Sequence, residues 1–307
     1  MSTKWVAGNV RAKALLSRRL GAGRAREVAA MGSLAEAQHA LADSPYGQGV
    51  LVGQALAETE HAVTTTPLWH LRVLAGWQPR EGAEAIRSLA GGFEVANIAA
   101  HARCLAGAAP EPMFALGALA TAWSRLRETS SLADLRSTLS HSLWGDPGGD
   151  SPSDIALGAQ IAWGVRVATT VRETSSWAGG ALALLVARRR LLQRRQLPDH
   201  LAVRAARVLG AAAFASHDLA SFAAALPARA RWALAGVNDI DELWRGEVGW
   251  WSHLEGDGFR LLGQPGYSRA RTIGAAAVLA TDAWRCRAAL QLAARGGGPM
   301  DVYDAIA

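Results

Sequence analysis

Acid–base or metal chemistry in this 307-residue chain would have to come from eight histidines, two cysteines and scattered carboxylates, and their spacing does not assemble them. No two histidines stand three or four residues apart, the spacing that sets two imidazoles on one helix face as metal ligands. His217 and Asp218 are adjacent, so on a helix they point to different faces. Glu58 and Glu60 flank Thr59 in a polar patch without a general-acid signature. Cys104 and Cys286 lie far apart in apolar segments, which predicts buried free thiols rather than a disulfide framework or a zinc site. The chain has no His-Glu-x-x-His, Gly-x-Ser-x-Gly, Walker-type loop or dinucleotide fingerprint. Gly91-Gly92 and Gly179-Gly180 each enter a predicted helix and could cradle a phosphate. With no preceding strand and no lysine nearby, close helix packing is the better account.

The strongest charge feature is Arg188, Arg189 and Arg190 with Arg194 and Arg195, spaced around Leu191 and Leu192. In the last turns of a helix these cations complement the negative end of the macrodipole. Two readings follow: a solvated helix end, or a docking patch for an acidic protein or lipid headgroups. Nucleic acid is disfavoured, because no aromatic platform is interleaved with the cluster. If the cluster is a docking patch, reversing its charges should weaken assembly and leave the fold intact.

The elements that carry these residues read as helices throughout. Half of the residues are apolar and 19% are charged, enough to build a packed core. Ala and Leu dominate, and alternating strand patterns are almost absent, so the predicted fold class is all-α. Val95, Ile98, Ala102 and Leu105 repeat at helical spacing, as do Leu34, Ala37 and Leu41, and Leu132, Leu135 and Leu139. Breaks are predicted at Gly21–Gly23, Ser44-Pro45, Thr64–Pro67, Trp77–Pro79, Gly145–Pro152, Pro227, Gly256–Gly258 and Gly263–Gly266. The net charge of +6 comes almost wholly from arginine and fits an anionic partner, or a coding bias that raises Ala, Gly and Arg together. No stretch reaches the roughly 18–20 apolar residues of a membrane span, and the N-terminus has no signal-peptide pattern; a cytoplasmic protein is expected. Twelve tryptophans are placed to fill joints between helices or to anchor an interface.

A helix-start phrase recurs. Ser33-Leu34-Ala35-Glu36 is followed by Ser131-Leu132-Ala133-Asp134 and by Asp239-Ile240-Asp241-Glu242, each a capping residue with a carboxylate three places on. The first two copies continue in register, Leu41 with Leu139 and Tyr46-Gly47 with Trp144-Gly145. Long helices before Gly107 and Pro110, before Pro198, and before Gly296–Pro299 close three modules, 1–110, 111–198 and 199–307.

These residues resemble a family. Trp5 to Leu20, with Val10-Arg11-Ala12 and Leu15-Leu16, resembles the opening of the C-type central-stalk subunits of rotary A/V-type ATPases, the d-type in eukaryotes. Met31 to Gly47 looks like that family's next element, and Phe93-Glu94-Val95-Ala96-Asn97-Ile98 is similar to its recurrent Glu-x-x-Asn-Ile helix. Asp282-Ala283-Trp284-Arg285, Gly296 to Pro299 and Val302 to Ala305 extend the likeness to the C-terminus. The resemblance implies an all-α funnel of three pseudo-symmetric modules. It implies a socket without catalysis or cofactor, seated between the rotor axle subunits and the membrane proteolipid ring on the cytoplasmic face, in a motor for proton or cation transport. The chain departs from the family in its short length, its incomplete third phrase and its basicity. An all-α interaction scaffold outside any motor is the alternative, and an enzyme of unrecognised type is the third.

Overall fold

The computed structural model describes residues 3–298, 300, 303 and 304, and among them every regular element is helical. The chain opens with α1 (Val6–Ala14), α2 (Ala22–Ala29) and α3 (Leu34–Ala42). Ser33 caps α3 as its phrase predicts: its hydroxyl accepts from the Glu36 N–H at 3.2 Å, and the Glu36 carboxylate reaches back to the Gly32 N–H at 3.0 Å. Next come α4 (Leu56–Gly76) and α5 (Arg80–Leu105). The break expected at Thr64–Pro67 does not occur, and Pro67 lies buried inside α4. Thr64 and Thr65, just ahead of it, donate their hydroxyls to the carbonyls four residues back, at 2.7 and 2.8 Å.

The middle of the chain forms α6 (Trp123–Leu126), α7 (Leu132–Ser140), α8 (Pro152–Thr170) and α9 (Ser175–Ala187). Ser131 caps α7 through the Asp134 N–H at 3.1 Å, again as its phrase predicts. The remainder forms α10 (Asp199–Leu209), α11 (Leu219–Ala225), α12 (Ala228–Arg231), α13 (Leu243–Gly263) and α14 (Arg269–Ala293). The third phrase behaves differently. Asp239 caps a short 3-10 turn, Ile240–Glu242, that leads straight into the long α13. The break expected at Gly256–Gly258 is also absent, and both glycines lie inside α13. A Cβ on Gly258 would meet Val278 at 2.9 Å, and one on Gly274 would meet the Gly258 carbonyl oxygen at 2.5 Å, so glycine here lets α13 and α14 approach closely. Pro299, Val302 and Ala305 lie outside the described residues.

Two compact units result. The first comprises Met1–Ile86 with Trp251–Ala307, the second Arg87–Trp250. The core of the first gathers Val28, Leu41, Tyr46 and Val63 against Cys286 and Leu290 of α14. The second holds two clusters, one around Trp144 between α5, α7 and α8, the other around Phe222 between α8, α9 and α10. Cys286 is buried as expected, whereas Cys104, in the last turn of α5, is only half-buried. No described helix is long and apolar enough to cross a membrane.

Candidate functional site

The arginine cluster is only partly the exposed patch that its sequence suggests. After Ala187 the helix widens into a π turn, Arg188–Leu192, which redistributes the side chains. Arg188 pairs with Glu247. Arg189 is buried, with Nη2 3.0 Å from the Asp154 carboxylate of α8. Arg190 donates to the carbonyls of Ala213, Phe214 and Ser216 at 3.1, 2.8 and 3.1 Å, with its guanidinium 5.7 Å from the Phe214 ring centre. Only Arg188, Arg194 and Arg195 are exposed. Reversing Arg189 or Arg190 would therefore break internal bonds and cost stability, so a docking test belongs to Arg194 and Arg195. Arg194 holds the left-handed φ of 53° that ends this helix, with the Arg195 N–H returning to the Arg189 carbonyl at 3.0 Å. Arg194→Gly is expected to stabilise the protein by about 0.5–1 kcal/mol, net of the entropy that glycine adds to the unfolded chain. Urea denaturation checks this; a loss of stability would contradict it.

Among the described residues, the most heavily bonded buried carboxylates are Glu94 and Asp282, which sit mid-helix on α5 and α14. Glu94 is fully buried and accepts three bonds: from the Thr121 N–H at 2.5 Å, the Ala122 N–H at 2.7 Å and the Trp144 indole N–H at 2.9 Å. Asp282 accepts from the Leu20 N–H, the Gly21 N–H and the Tyr46 hydroxyl, each at 2.8 Å. In both places a carboxylate ties two successive N–H groups, just ahead of a short helix, to the aromatic residue that follows a capped nine-residue helix. One turn on from Glu94, Asn97 holds Phe114 by both backbone groups, at 3.0 and 2.8 Å.

Five residues past each cap stands a side chain that secures the following loop. Gln38 is buried, donates to the Gln54 carbonyl at 2.7 Å and to the Thr59 hydroxyl at 2.8 Å, and accepts from the Gly53 N–H at 2.8 Å. Arg136 reaches Asp146 and Asp150, each at 3.0 Å, inside the Gly145–Pro152 loop. That loop is thus a braced connection. The sequence pairs Tyr46 with Trp144, but nothing local to either marks Asp282 or Glu94 as its partner, 236 and 50 residues away.

The other candidates have structural work. The Glu58 carboxylate accepts the Ala55 N–H at the start of α4, and Glu60 accepts from Gln291 of α14 at 2.8 Å. Gly91 and Gly92 lie within α5 against Trp163, and Gly180 lies within α9 against Trp232, where added Cβ atoms would stand 2.9 Å away. They serve close packing. Among the described residues, no three His, Cys, Asp or Glu side chains are grouped to hold a metal ion. Glu94 and Asp282 are each engaged through both oxygens as acceptors, which makes them positioning groups.

Buried titratable groups set a pH window for stability. Burial lowers the His61 and His70 pKa values from the ordinary 6.5, with Arg18 and Arg11 adding to the effect on His70. The unfolded chain takes up these protons first, so stability falls as pH drops below about 6.5. Burial raises the Cys286 thiol well above 9.0 and the Tyr46 phenol well above 10.0, with Asp282 contributing to both. The unfolded chain loses those protons first, so stability also falls above about pH 9. The melting temperature should plateau between these limits; a maximum at pH 5 would contradict the assignment.

The chain matches no protein-family model, and no curated protein matches it.

Proposed function

We propose that the chain is a non-catalytic coupling subunit, a socket between the axle and the proteolipid ring of a V/A-type rotary ATPase, peripheral on the cytoplasmic face of the membrane. The supporting observation is where the residues of the resemblance fall. Tyr46, Glu94, Asn97 and Asp282 all belong to phrases that carry it, and all four make the long-range bonds that hold helix starts and loops in place. The pattern also supports three modules. The closing helix of the first, α5, holds the opening of the second through Glu94. That of the second, α9 with its π turn, holds the segment ahead of the Asp218-capped α11 in the third through Arg190. That of the third, α14, holds the opening of the first through Asp282. In the third instance a cation gripping carbonyls takes the place of a carboxylate gripping N–H groups. Each unit is thereby cross-braced between residues far apart in sequence, which suits a part that must carry torque without deforming.

The test is a gentle detergent pull-down of the tagged chain from its native membranes. Recovery of a proteolipid together with axle and catalytic ATPase subunits is the expected result. Capture without any of them would overturn the socket reading and leave an all-α interaction scaffold.

A further inference from the structure

One face of the first unit combines unbalanced positive charge with exposed tryptophan. Trp69 and Trp77 lie eight residues apart at the C-terminal end of α4, and are 47% and 50% exposed. The Arg11 guanidinium lies 5.1 Å from the Trp77 ring centre, and Val10 beside it is 59% exposed. Trp69 meets the buried His70 edge-on, with ring centres 5.0 Å apart. Arg18 and Arg11 both lie near enough to His70 to lower its proton affinity, and both are exposed. No Asp or Glu precedes Glu27, and none lies between Glu60 and Glu81. Those flanking acids are already engaged, Glu60 by Gln291 and Glu81 by Lys4 at 3.2 Å.

We propose that this face, built from Val10, Arg11 and Arg18 with Trp69 and Trp77, docks on the anionic headgroups of a lipid bilayer. The chemistry matches both layers of that surface. Arginines attract acidic headgroups, and half-exposed indoles with an aliphatic neighbour prefer the boundary between headgroup and acyl chain. Nucleic acid fits less well, because the Arg11 guanidinium already covers a Trp77 face on which a base would stack. The inference does not depend on the socket reading, since it concerns this chain and lipid alone.

The experiment is co-sedimentation of the purified full-length chain with vesicles of phosphatidylcholine, with and without phosphatidylglycerol. Binding is expected only to the anionic vesicles, and it should weaken as salt is added. Arg11→Gln with Arg18→Gln should weaken binding on the order of thirty-fold, at about one basic residue's contribution each. Trp77→Ala should weaken it severalfold and leave the salt dependence in place. Melting temperatures of the variants control for folding, and Arg18→Gln alone retains the Arg11–Trp77 contact. Equal binding to neutral vesicles, no binding to anionic ones at low salt, or an unaffected glutamine variant would each overturn the proposal. So would preferential binding of single-stranded RNA or an acidic peptide that competes the protein off the vesicles.

Discussion

Glu94→Gln is expected to destabilise the second unit by about 2–4 kcal/mol, a large effect for a change that preserves size. The carboxylate takes three donors through two oxygens, and the bonds from Ala122 and Trp144 are buried. An amide keeps one acceptor and turns an NH2 group toward at least one of those donors, leaving buried N–H groups unsatisfied at about 1–3 kcal/mol each. Trp144→Phe removes one donor and should lower the cost of the second change, so the two variants together should fall short of the sum of their separate effects. Denaturant titration of the four proteins in this cycle gives the coupling. Additive effects would show that Trp144 and Glu94 are energetically independent. Asp282→Asn should act in the same way on the first unit, with Tyr46→Phe as its companion.

A second large loss is expected from Glu255→Ala. Arg285 and Glu255 form a two-pronged pair, with Nη1–Oε1 at 2.5 Å and Nη2–Oε2 at 2.6 Å, and their side chains are only 7% and 19% exposed. Removing the carboxylate takes from a buried guanidinium its two-pronged counter-ion, which costs about 3–5 kcal/mol. Replacing both residues with apolar side chains of similar volume should cost much less, because the penalty comes from a buried charge deprived of its counter-ion more than from the loss of the pair itself. The guanidinium holds the Glu255 carboxyl below its ordinary 4.5. Its contribution is therefore present above about pH 4.5 and disappears as pH falls through the lower folded value. If Glu255→Ala and the double replacement proved equally damaging, packing rather than charge would be what the pair supplies. The stacked Trp251 and Trp284, 5.1 Å between centres, sit on the same two helices and offer a fluorescence readout.

The sequence alone determined whatever depends on neighbours in the chain. The capping phrases at Ser33 and Ser131 name their own bond partners three residues away, so both helix starts were legible to the residue. The helical spacing of Val95, Ile98 and Ala102 correctly marked the buried side of α5. The all-α class followed from the same periodicity. Local rules failed where a distant surface outweighed them. Pro67 and Gly258 are breakers by local propensity, yet α4 runs through one and α13 through the other, Pro67 buried in its unit and Gly258 packed closely on α14. The arginine cluster was legible only in part: three of its members, Arg188, Arg194 and Arg195, are exposed, while the π turn aims Arg189 at Asp154 and Arg190 at the carbonyls around Phe214. The tertiary structure alone decided the roles of Glu94 and Asp282. A buried carboxylate is stable only where donors converge on it, and those donors come from segments 27 and 262 residues away that no local pattern connects to it.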